Sequence, residues 1–114
     1  IGGITEAKRV ADRARELGIQ YVNHTFKSHL SVAASIHVFA GFKEFDLIEY
    51  PAGNSPLVLG LTEPTGVFRD SEGYVKASST PGLGVEVNLS AISKYQRHIK
   101  IEIDGEVLFE SREP

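Results

Sequence analysis

Apolar residues recur at spacings of three and four from residue 5 to residue 17: Ala7, Val10, Ala11, Ala14 and Leu17 share one stripe, while Lys8, Arg9, Asp12, Arg13 and Glu16 fall elsewhere. This period predicts an amphipathic helix from Thr5 to Leu17, with Thr5 as its N-cap and Gly18 at its C-terminal end. The short apolar run Ile19 to Asn23 follows and reads as a buried parallel strand, ending at His24. A second helical pattern uses Leu30, Ala33, Ala34, Ile36, Val38 and Phe39, with Ser28 or Ser31 as the cap and Gly41 as the stop. Phe45 to Ile48 is the next predicted strand, closed by Glu49-Tyr50-Pro51. Two strands, each ending in a polar tip and separated by helices, predict an α/β architecture: a piece of a barrel or of a doubly wound sheet.

Beyond Pro51 the pattern changes. Residues 52–83 are rich in Gly, Pro, Ser and Thr and predict a long, ordered, extended segment, with a turn at Ser71-Glu72-Gly73. Asn88 is positioned to cap a brief helix from Leu89 to Tyr95. Ile99 to Ile103 and Glu106 to Phe109 flank Asp104-Gly105, a strong signal for a hairpin with a type I′ turn. A two-residue loop would set Ile103 opposite Glu106 and Ile101 opposite Leu108.

Composition narrows the function classes. The net charge is −3 and the 12 Lys and Arg are interspersed with acids, so no basic stripe invites nucleic acid. With no cysteine, disulfides, thiolate zinc sites and cysteine nucleophiles all fall away. No apolar run approaches the roughly 18 residues of a membrane span. The expectation is a cytoplasmic protein without membrane or nucleic-acid partners. The chain opens on Ile1 and contains no methionine, which predicts a processed product or a segment of something longer.

The candidate chemistry lies at the two predicted strand ends. His24 and Glu49 would point into one mouth, where an imidazole with an ordinary pKa near 6.5 takes up a proton and a carboxyl group holds or donates one. Lys27 is a weaker candidate for contact with an anionic substrate. His24 and His29 are five apart with no carboxylate between them, a poor metal pair, and His37 and His98 read as structural.

Gly2-Gly3-Ile4-Thr5, His24 after a strand, Leu47-Ile48-Glu49-Tyr50, Gly73-Tyr74-Val75 and Pro81-Gly82-Leu83-Gly84-Val85 together resemble the C-terminal part of the mandelate racemase and muconate lactonising branch of the enolase superfamily. The resemblance spans roughly residues 1–95 and implies the C-terminal part of a modified (β/α)7β TIM barrel. Residues 19–23 would then be its seventh strand and 45–48 its eighth. Residues 96–114, with the hairpin, would form a tail that joins the capping domain. The family abstracts the proton α to a carboxylate and stabilises the enediolate with magnesium. His24 matches its general base, and Glu49 matches the acid that hydrogen-bonds the substrate carboxylate. The Mg2+ ligands, the lysine near the second strand and the aspartate that partners the histidine would all lie outside this sequence.

The implied activity is that of a magnesium-dependent acid-sugar dehydratase, a lyase, acting on a small-molecule carboxylate substrate. Its partners would be the remainder of the barrel and the capping domain, in a homo-oligomer, and the 114-residue chain alone would be inactive. A racemase or epimerase of a 2-hydroxy acid is the alternative within the family. A stand-alone interaction module, using its terminal hairpin to extend a partner sheet, is the alternative outside it.

Overall fold

The computed structural model describes residues 2–25 and 28–112. Helix α1 spans Ile4–Glu16 and α2 spans His29–Phe39. Two short helices follow, α3 at Pro56–Gly60 and α4 at Leu89–Ile92, the latter continued by a 3₁₀ turn at Ser93–Tyr95. The chain then forms strands β1, Lys100–Ile103, and β2, Glu106–Glu110.

Helix α1 starts one residue earlier than its periodicity predicts. Gly3, at φ 92°, is the N-cap in place of Thr5, and no side chain caps the first turn. Its C-terminus closes in a Schellman arrangement: Gly18 adopts φ 65°, its N–H donates to the Arg15 carbonyl at 3.0 Å, and the Ile19 N–H reaches the Ala14 carbonyl at 2.8 Å. For α2, the cap is Ser28, whose hydroxyl accepts from the Ser31 N–H at 3.3 Å. Gly41 is not left-handed, and Ala40 ends the helix in a right-handed conformation.

Helices α1 and α2 pack through small residues and rings. Ala11, Val38, Phe39, Phe42 and Phe45 are buried together, with Ala7, Ala14, Tyr21 and Ile48 against them. The Tyr21 ring lies 5.3 Å from Phe39 and 5.9 Å from Phe45 between centroids, within the range of favourable tilted contacts. A second cluster of Val32, Ala33, Ile36 and Val67 draws the extended segment over the far face of α2, where Tyr50, Val75 and Val85 pack on it. Ala33, with its small side chain fully buried there, lets the chain approach closely.

The predicted strands at 19–23 and 45–48 are not assembled into a ladder; both are extended segments without regular pairing. The Asn23 side chain stands between them, accepting from the Glu49 N–H at 2.9 Å and donating to the Glu49 carbonyl at 3.2 Å. Residues 52–83 are not wholly extended either, because Ser55 caps α3 by accepting from the Val58 N–H at 3.3 Å, with Pro56 in the first turn.

The hairpin turn is as expected, with Asp104 at φ 51° and Gly105 at φ 80°. Ile103 pairs with Glu106, but a bulge between Ile101 and Glu102 shifts the register, so Ile101 faces Phe109 and not Leu108. The radius of gyration, 17.9 Å, exceeds the roughly 13 Å of a compact chain of this length.

Candidate active site

His24 follows directly on the extended segment 19–23, and Glu49 on 45–48, so the local chain direction delivers both to the same end. Their side chains meet: His24 Nδ1 lies 2.8 Å from Glu49 Oε2. An ionised carboxylate only accepts, so Nδ1 carries the proton and donates, which leaves the imidazole lone pair on Nε2. The imidazole is 77% exposed and the carboxylate 40%, so both are accessible from solvent.

The backbone beneath them is fixed by buried polar contacts. Asn23, 6% exposed, spans both backbone groups of Glu49. Thr25 is buried on the other side of His24, its hydroxyl 2.6 Å from that of Ser31 in the first turn of α2. His24 is thus flanked by two anchored neighbours. An open cavity of about 500 Å³ adjoins it, bordered by Tyr21, Asn23, Ser31, Ala34 and Val38. Burial against the Phe39 and Phe45 cluster raises the pKa of Tyr21 above the usual value for a phenol.

The remaining histidines are occupied elsewhere. His29 is buried, and its Nδ1 accepts from the Val67 N–H at 3.0 Å, tying the extended segment to α2. His37 bonds the Ala33 carbonyl of its own helix at 2.8 Å, and His98 lies 3.1 Å from Glu110 beside the hairpin. Lys27 lies outside the described residues. Asn23, Thr25 and Ser31 are the site residues that sequence reasoning missed. The signal for Asn23 was a polar side chain inside an apolar run, immediately before the histidine.

Among the described residues, no group of three or more His, Asp or Glu side chains could hold a metal ion. The His24–Glu49 pair alone does not make a magnesium site. No helix among the described residues is long and apolar enough to cross a membrane.

Comparison with known proteins gives the chain its relatives. A crystal structure of a predicted mandelate racemase from Rhodobacter sphaeroides superposes with a TM-score of 0.82 at 42% identity, covering 99% of this chain and 29% of that one. A D-galactonate dehydratase family member of Oceanicola granulosus is 35% identical over 83% of this chain, and a D-xylonate dehydratase of Haloferax volcanii is 26% identical over 96%. A further D-galactonate dehydratase family member, RspA of Pantoea ananatis, is 30% identical over 83% of this chain. The chain spans between 22% and 25% of the length of these curated relatives. The family model for the enolase C-terminal domain-like proteins matches residues 1–91, and the chain therefore belongs to that family as a C-terminal part of its α/β TIM-barrel-type fold.

Proposed function

We propose that this chain supplies the proton-transfer end of a sugar-acid dehydratase, with His24 as the general base and Glu49 as its partner at the barrel mouth. The observation that carries the reading is the 2.8 Å contact from His24 Nδ1 to Glu49 Oε2. It commits the imidazole to one tautomer and aims its basic nitrogen, Nε2, away from the carboxylate. Nε2 takes the proton from the carbon next to the substrate carboxylate. The imidazolium so formed is stabilised by Glu49, and it can return its proton to the hydroxyl leaving the neighbouring carbon, which departs as water. By the family resemblance Glu49 also hydrogen-bonds the substrate carboxylate, which requires Glu49 to be protonated and so is a separate state from the one in which its carboxylate accepts from His24. The relatives named for D-galactonate and D-xylonate dehydration support an acid sugar as the substrate class. By the family resemblance the complete enzyme uses magnesium held by other side chains, and the hairpin packs on the capping domain.

The test is exchange of the substrate's α-proton with solvent deuterium, using the full-length protein with D-galactonate and D-xylonate. His24→Asn should lower the exchange rate by about 10² to 10⁴-fold, the usual contribution of a general acid–base group. Exchange at the wild-type rate in that variant would overturn the assignment. Glu49→Gln should cost about 10² to 10³-fold, the scale of losing one electrostatic stabiliser, with magnesium affinity by calorimetry unchanged. The racemase reading is favoured by the Rhodobacter sphaeroides protein. It predicts inversion at the α-carbon with no dehydrated product, which chiral chromatography of the reaction mixture separates from dehydration.

A further inference from the structure

We infer that Asn23 is a positioning residue for the proton-transfer pair: its carboxamide sets the separation of His24 and Glu49. The inference rests on the reading of those two residues given above. In an extended chain the N–H and C=O of one residue point to the same side, and a carboxamide presents an acceptor and a donor in one plane at matching spacing. Asn23 uses both, with Oδ1 2.9 Å from the Glu49 nitrogen and Nδ2 3.2 Å from the Glu49 oxygen. Two bonds from one rigid group fix the Glu49 backbone in rotation as well as in position, and so fix where its Cβ points. At 6% exposure the clamp is shielded from competing water. Because Asn23 is covalently joined to His24, the same group that orients Glu49 also sets where the imidazole starts. No backbone ladder between 19–23 and 45–48 is present to do this instead.

Aspartate at this position keeps the acceptor for the Glu49 N–H but turns a second oxygen toward the Glu49 carbonyl. Alanine removes both contacts. The two variants therefore dissect the clamp.

The test uses full-length protein carrying Asn23→Ala, Asn23→Asp, Glu49→Gln and the Asn23→Ala/Glu49→Gln double change. Crystal structures of Asn23→Ala should show the His24 Nδ1 to Glu49 Oε2 distance, 2.8 Å here, opened beyond hydrogen-bond reach. If that variant does not fold, the same distance is read in Asn23→Asp. A distance unchanged in a folded variant overturns the inference. With D-galactonate as the probe, Asn23→Ala should lower kcat for α-proton exchange by ~10- to 100-fold, the scale of a misplacement near 1 Å, with KM within about twofold. Acting through Glu49, it should cost little more in the Glu49→Gln background; fully additive losses would make Asn23 a merely structural residue and overturn the inference. If His24→Asn exchanges normally, the reading of the base fails, while the crystallographic distance still decides the role of Asn23.

Discussion

His29 shows how a residue dismissed as chemistry becomes a structural joint. Its Nδ1 is the acceptor for the buried Val67 N–H, 38 positions away in sequence, and its ring lies 4.9 Å from that of Phe68. Replacing it with leucine keeps the volume but leaves a backbone N–H without a partner, a loss of about 1–3 kcal/mol. Urea unfolding of the full-length protein, wild type against His29→Leu, should show that loss as a lower midpoint. Tyr21 makes a different prediction. Burial raises its pKa, so the folded chain holds the phenolic proton more tightly than the unfolded chain does. The unfolded state then binds fewer protons above about pH 10, and stability falls as pH climbs from there through the folded value. Tyr21→Phe should flatten that alkaline fall, as read from thermal midpoints between pH 9 and 11.

The helices were the most legible part of the chain because their signals are local. The stripe from Ala7 to Leu17 announced α1, and Asn88 announced the helical turns that run to Tyr95. Gly18, at φ 65°, ends α1 in a conformation that costs other L-residues roughly 1–2 kcal/mol. Gly18→Ala should destabilise the full-length protein by about that amount, while Gly41→Ala, at a residue without positive φ, should be nearly neutral by the same unfolding measurement. Helix α3 escaped notice because five residues carry too little periodicity, although Ser55-Pro56 is a start signal. The Asn23 clamp and the His29 joint escaped because they link residues 26 and 38 apart, and such bonds leave no repeat to read. The bulge at Ile101 was hidden for a related reason: a type I′ turn fixes the first pair, Ile103 with Glu106, and says nothing of slips farther along. In the site itself, strand-end positions exposed His24 and Glu49 as candidates, but their direct contact depends on side-chain reach across two segments.

The distribution of apolar surface bears on whether residues 1–114 can stand by themselves. Ala7, Ala11 and Ala14 of the α1 stripe are covered, yet Val10 and Leu17 are exposed, the latter at 54%. Leu47, on the segment that leads to Glu49, is 62% exposed, and Ile19 and Val22 are exposed on the other segment. The hairpin buries none of its own residues: Ile101, Ile103, Val107, Leu108 and Phe109 all face solvent. Each large apolar side chain left in water forgoes about 1.5–3 kcal/mol relative to full burial, so this pattern removes a substantial part of the stabilisation a core should provide. The two extended segments also present backbone groups without ladder partners, a template for association. Residues 1–114 expressed alone should therefore bind a hydrophobic dye, self-associate on a sizing column, and melt without a sharp transition. The full-length protein should do none of these. A cooperative, monomeric transition from the isolated segment would show that its two small clusters, around Phe39 and around Ile36, suffice as a core, and that the exposed stripe carries no requirement for further chain.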